Sequence, residues 1–111
     1  VGARASIENC YITEGCEIHG TVINSVLGEG VKIMKGACVR DSVIMSRVTI
    51  GRDSVVEYSL LDEGVSVGEG AKIGKPRDVA SGITVIGSGA CVRANRPIGD
   101  NEVLAEMKEG Q

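Results

Sequence analysis

Three consecutive 17-residue stretches, NSVLGEGVKIMKGACVR (24–40), DSVIMSRVTIGRDSVVE (41–57) and YSLLDEGVSVGEGAKIG (58–74), carry aliphatic side chains at the same three places. Leu27, Ile44 and Leu61 form one set, Ile33, Ile50 and Val67 a second, and Val39, Val56 and Ile73 a third. Self-similarity at a short fixed period marks a stacked architecture, in which each unit buries its apolar side chains against its neighbours. The spacing within each period is five, six and six residues, and it extends back to Ile7 and forward to Ile86 and Val92.

Two residues before each aliphatic position the side chain is small. Cys10, Ser25, Ser42 and Ser59 precede one set, Ala37, Ser54 and Ala71 another, and none in the series is larger than Val. On a strand, residues i and i−2 point to the same face. Each period therefore reads as three short strands, every one sending a large and a small side chain inward. This predicts an all-β chain, a parallel β-helix of triangular coils, with equivalent residues stacked about 4.8 Å apart. A narrow triangular interior has little room for large rings, and the chain has 2 Tyr and no Phe or Trp. Corners require positive φ or Asn/Asp turn chemistry. Gly15, Gly30, Gly36, Gly64, Gly70 and Gly89 fill one corner slot, and Arg47 and Asp53 stand in the same slot. The pattern predicts positive φ at those two.

The first coil is two residues short near His19-Gly20. The last is expected to carry a two-residue insertion around KPRDVASG (75–82), where Pro76 argues for a loop. The expected division is a β-helix over 1–92 and an irregular or short helical capping tail over 93–111. In that tail Val103, Leu104 and Met107 are spaced like one helical face, with Asp100 or Asn101 as N-cap. A cap is useful because an unpaired strand edge invites association.

Several function classes are disfavoured. The net charge is −3 and the Lys and Arg residues are scattered, without the basic stripe that a nucleic acid partner requires. No apolar run reaches the roughly 18 residues of a membrane span, and no secretory leader is read, so a cytoplasmic protein is expected. Cys10, Cys16, Cys38 and Cys91 lack CxxC spacing and His19 is the only His, which argues for reduced thiols and against zinc. The start at Val1 is expected of a fragment or processed product.

The pattern small-x-[Leu/Ile/Val]-[Gly/Asp/Glu]-x-x resembles the hexapeptide repeat of left-handed parallel β-helix proteins, and the left-handedness is implied by that resemblance alone. With its five-residue steps, the order of SVLGEGVKI, VRDSVIMSRVTIG, SVVEYSLLDEGVSVGEGAKIG and ITEGCEIHG over 2–92 is similar to the C-terminal domain of bacterial glucose-1-phosphate adenylyltransferases (ADP-glucose pyrophosphorylases) or their paralogous regulatory subunit. The resemblance implies a regulatory and oligomerisation domain without chemistry of its own, in an enzyme of glycogen biosynthesis that converts ATP and glucose 1-phosphate to ADP-glucose and pyrophosphate. It implies as partners an N-terminal catalytic domain, which would carry the Mg-binding acids, other subunits of a homo- or hetero-oligomer, and a phosphorylated-sugar effector. No GxGxRL-like phosphate loop occurs in this sequence, and no catalytic, cofactor or metal residue is assigned. The alternatives are the C-terminal domain of another sugar-nucleotide pyrophosphorylase, or a stand-alone trimeric hexapeptide acyltransferase. The last would need His19 as general base; read structurally, His19 is a corner residue of the shortened coil.

Two groups of surface residues are candidates. Tyr11, Val26, Val43 and Leu60 each precede an inward aliphatic residue, so they point outward and should stack as one apolar stripe, a docking face for a catalytic domain or another subunit. The bland alternative is β-propensity on an exposed sheet. Lys35, Arg40, Arg47 and Arg52 are the candidates for an anionic effector, against the alternative of solvated surface charge. In some relatives an Arg follows the Asp of the third-coil segment; here LDEGV places Glu63 there.

Overall fold

A computed structural model describes residues 6–76, 78–95, 97–99 and 103–104, with side chains over 7–76, 78–95 and 97–99. The described elements are all strands of two or three residues: β1 Ser6–Glu8, β2 Tyr11–Ile12, β3 Glu17–Ile18, β4 Thr21–Ile23, β5 Val26–Leu27, β6 Lys32–Ile33, β7 Cys38–Arg40, β8 Val43–Ile44, β9 Thr49–Ile50, β10 Val55–Glu57, β11 Ser59–Leu61, β12 Ser66–Val67, β13 Lys72–Ile73, β14 Thr84–Ile86, β15 Cys91–Val92, β16 Pro97–Ile98 and β17 Val103–Leu104. Each strand pairs in parallel with the strand three places along the chain. The first sheet runs β1-β4-β7-β10-β13-β16, the second β2-β5-β8-β11-β14-β17 and the third β3-β6-β9-β12-β15. Three sheets visited in turn make the coiled prism that the 17-residue period requires.

The inward columns line up as the repeat predicts. Leu27 stands opposite Ile44, Ile44 opposite Leu61, and Leu61 opposite Ile86. Leu27, Ile33, Ile50, Val56, Leu61 and Ile73 are fully buried, with 0% of their surface exposed. Burying each such side chain contributes roughly 1.5–3 kcal/mol. The small partners Ser25, Ser42, Ser54, Ser59 and Thr84 are buried beside them. Every described buried side-chain nitrogen or oxygen has a hydrogen-bond partner. Ladder bonds such as Lys32 N–H to Val48 O (2.9 Å) and Thr49 N–H to Val65 O (3.0 Å) join each coil to the next.

The corners follow two chemistries. Between the second and third sheets Arg47 has φ 59°, and between the third and first Asp53 has φ 58°, both positive as the register predicts. The corner from the first sheet to the second is the five-residue step, and it is left-handed without a glycine to mark it. There Asn9, Asn24, Asp41 and Tyr58 have φ 52°, 49°, 49° and 46°. Asn and Asp tolerate this region through local hydrogen bonding, whereas a Tyr there is uncommon. Asn9 Nδ2 donates to Asn24 Oδ1 at 2.7 Å, so the corner also forms a side-chain ladder.

The shortened first coil is located by register. Ile18 pairs with Ile33, 15 residues on, but Val22 pairs with Val39, 17 residues on, so the missing two residues fall between Ile18 and Val22. Gly20 makes this shortcut possible: a Cβ there would lie 2.3 Å from the Ala37 carbonyl oxygen.

Three expectations need correction. The insertion around 75–82 is eight residues, not two, because Leu61 pairs with Ile86, 25 residues on instead of 17. It leaves the coil after Gly74, turns where the Pro76 carbonyl accepts the Val79 and Ala80 N–H groups (2.9 Å each), and rejoins at Thr84. A loop outside the ladder is not held to the period, since closure entropy grows slowly with length. The coil also does not stop at Val92: β16 pairs with β13 and β17 with β14. Ile98 is 2% exposed, an inward residue like its predecessors. The sequence hides this hexad because Arg96 occupies the position two before Ile98 where earlier coils have a small residue. Finally, Val103–Leu104 is a strand opposite Val85–Ile86, not a helical face. Asp100, Asn101 and Met107 lie outside the described residues.

Candidate functional site

Strand alternation turns the residue before each inward aliphatic outward. On the second sheet this gives one row. Tyr11 stands opposite Val26, Val26 opposite Val43, Val43 opposite Leu60, and Leu60 opposite Val85. The structure thus brings together all four residues of the expected stripe and adds Val85. That residue was missed because the eight-residue insertion displaces it from the period; the TVI of β14, matching the small-x-aliphatic pattern, was the available signal.

The row is exposed at one end, with Tyr11 67% and Val26 43% accessible, and half-buried at Val43, Leu60 and Val85. Met45 and Ile83, exposed at the ends of strands of the same sheet, widen it. Val79, 68% exposed, sits in the loop that enters this sheet. Of the described large hydrophobic residues that are exposed, the remaining one is Ile7, an inward residue at the open first coil. The other two faces differ. The outward row of the third sheet begins Glu17, Lys32, Thr49, Ser66, and that of the first reads Thr21, Cys38, Val55, Lys72. A contiguous apolar row confined to one of three faces is the kind of patch that marks an interaction surface. Beside it runs a shallow groove lined by Asn24, Val26, Asp41, Val43 and Tyr58.

The four cationic candidates do not converge. Lys35 and Arg52 are stacked equivalents at the corner between the third and first sheets, where Lys35 O accepts the Asp53 N–H (3.2 Å) and Arg52 O the Gly70 N–H (2.8 Å). Arg40 ends β7 on the first sheet, between Ile23 and Glu57. Arg47 is at a different corner, where its guanidinium is ion-paired with Glu63. Glu63, the residue in the position where some relatives have an Arg, therefore holds a cation instead of supplying one.

His19 is exposed at the end of β3, and its backbone N–H donates to Ile33 O at 2.8 Å. The four cysteines are free, and among the described residues no cluster of three or more His, Cys, Asp or Glu could hold a metal ion. No helix among the described residues is long and apolar enough to cross a membrane. The surface offers apolar area and fixed charge, the means of binding a macromolecule.

Residues 1–93 match the GlmU-like C-terminal hexapeptide family. Among curated relatives, the glucose-1-phosphate adenylyltransferase of Acetivibrio thermocellus is 36% identical over 113 residues, covering 94% of this chain and 26% of the relative. That of Fervidobacterium nodosum is 36% identical over 117 residues (97% of this chain, 28% of the relative). That of Cutibacterium acnes is 33% identical over 99 residues (80% and 24%). The chain spans about a quarter of the length of the curated relatives it matches.

Proposed function

The chain belongs to the GlmU-like C-terminal hexapeptide family, and from that premise we propose that it acts as the C-terminal regulatory and oligomerisation domain of a sugar-nucleotide pyrophosphorylase, the glucose-1-phosphate adenylyltransferase of glycogen biosynthesis. The observation that carries this reading is the 36% identity, over nearly the whole chain, to adenylyltransferases roughly four times as long. In that setting the transfer of the adenylyl group from ATP to glucose 1-phosphate, and the Mg that assists it, belong to a catalytic domain. The prism contributes a rigid side, since its ladder-bonded coils cannot slide without breaking register. The row from Tyr11 to Val85 is the docking face for the catalytic domain or a neighbouring subunit in a homo- or hetero-oligomer. Of the four cationic candidates, the stacked pair Lys35 and Arg52 is best placed for a phosphorylated-sugar effector, because Arg47 is already occupied by Glu63. A cytoplasmic location goes with this metabolic role.

The test uses the full-length adenylyltransferase that carries this domain. Val43→Lys combined with Leu60→Lys should lower the assembly mass measured by light scattering and reduce adenylyltransferase activity, while the β-sheet circular dichroism is kept. An unchanged mass and activity would remove the row from the interface. The rival reading has its own readout: a trimer of the 111-residue chain that binds acetyl-CoA would establish an acyltransferase instead.

A further inference from the structure

The apolar row has a predominantly acidic border on one side. At the corner where the second sheet turns into the third, Glu14, Glu29 and Glu63 are exposed and Asp62 is half-buried. The only described cation in this border is Arg47, already paired with Glu63. Four carboxylates against one guanidinium leave a net −3 along the edge. Of the exposed cations, Lys32, Lys35, Arg52, Lys72 and Arg93 lie on the other two faces or the corner between them, while Arg40 and Lys75 lie toward the opposite edge of the row. The opposite edge of the row is Asn9, Asn24, Asp41 and Tyr58, flanked by the strand-end residues Glu8, Arg40 and Glu57, so it carries both signs.

We propose that this face docks an amphipathic protein segment whose apolar ridge is bordered by Lys or Arg. The proposal rests on the reading above that the row is an interface, and adds the chemistry of what covers it. An apolar partner with an acidic border would bring carboxylates within a Debye length, about 8 Å at physiological salt, of the Glu14–Glu29–Glu63 edge, and be repelled. A basic border meets that edge with opposite charge and gains in rate of encounter. An anionic membrane is disfavoured by the same edge, because surface-binding faces are rimmed with cations. The geometry suits a helix. Five strands about 4.8 Å apart span about 19 Å, which about 13 helical residues match at 1.5 Å each.

The experiment uses the 111-residue chain and two aromatic-free helical peptides with the same Leu/Ile ridge, one bordered by Lys and one by Glu. Tyr11, 67% exposed in a chain without Trp, provides the fluorescence readout. The Lys-bordered peptide should bind at least about tenfold tighter, with the difference shrinking as salt rises. Val26→Lys with Leu60→Lys should abolish binding, and Glu14→Lys with Glu29→Lys and Glu63→Lys should reverse the preference; thermal melts confirm that each variant is folded. Equal binding of the two peptides, binding that survives the row variants, or a self-associated chain that binds neither would overturn the proposal. Equal binding that still needs the row would defeat the charge selection alone. An unaltered assembly of the full-length row variant would defeat the underlying interface.

Discussion

The Ser42 hydroxyl makes two hydrogen bonds at a buried corner. It donates to Arg40 O at 2.7 Å and accepts the Ser59 N–H of the next coil at 3.2 Å. Ser25 repeats the arrangement one coil earlier, donating to Ile23 O (2.8 Å) and accepting the Ser42 N–H (3.2 Å). Cys10 takes the same place in the first coil, with Sγ donating to Glu8 O at 3.1 Å. The small slot at this corner is thus polar for a reason: the tight five-residue step turns a carbonyl inward, and a short hydroxyl two residues on can reach it. Ser59 differs in one respect. It donates to Glu57 O at 2.7 Å, but the Thr84 N–H beyond it goes to Tyr58 O at 3.3 Å. Ser42→Ala, which removes a donor and an acceptor, should cost about 1–3 kcal/mol of unfolding free energy. Ser59→Ala, which strands only a carbonyl, should cost less. Urea titration of both variants checks the order, and the reverse order would show that the hydroxyl column does not support the corner.

The strands are too short to be stable individually, so their positions follow from the columns they fill. This is why the run Leu27, Ile44, Leu61 was legible in the sequence, and why positive φ at Arg47 and Asp53 followed from the glycine slot they share. The corner at Asn9, Asn24, Asp41 and Tyr58 was not legible, because its left-handed residues are not glycines and the last is not even a usual substitute. The outward row was readable through Leu60 and lost at Val85 for a different reason: eight residues outside the ladder shift the count without disturbing the stack. Nor could sequence order show that the cations at Lys35, Arg40 and Arg47 separate onto different edges, since that depends on the corner at which each falls. If the inserted loop is only an excursion, it is dispensable to the coil. Replacing residues 75–83 with a single Asn recreates the Ile23-Asn24-Ser25 connection as Gly74-Asn-Thr84. The shortened chain should melt no lower than the parent, with a gain of up to about 2 kcal/mol from reduced closure entropy. A large loss in a thermal melt would mean that the loop braces the sheet it enters.

Stacking makes the molecule nearly one-dimensional, because each coil is supported only by the coils beside it. The first coil has support on one side among the described residues. Ile7, although inward, is 38% exposed, and Cys10, Ile12 and Cys16 are only half-buried, whereas Val48, Ile50 and Val56 are 0% exposed. The deficit should appear as a gradient of local unfolding. The amides of Tyr11, Thr13 and Glu17, which donate to Ser25 O, Leu27 O and Val31 O, should exchange with solvent earlier than those of Lys32, Met34 and Thr49, which donate to Val48 O, Ile50 O and Val65 O. A separation of at least about tenfold in protection, or about 1.4 kcal/mol, is expected in native-state hydrogen exchange. Equal protection would mean that the prism opens all at once, as a compact two-state domain does. The gradient also bears on docking, because Tyr11 is the most exposed member of the apolar row and lies in the coil with least support. A partner seated on the row would therefore supply the neighbour this coil lacks, and its binding should slow exchange at Tyr11 and Thr13 more than at Met34 or Thr49.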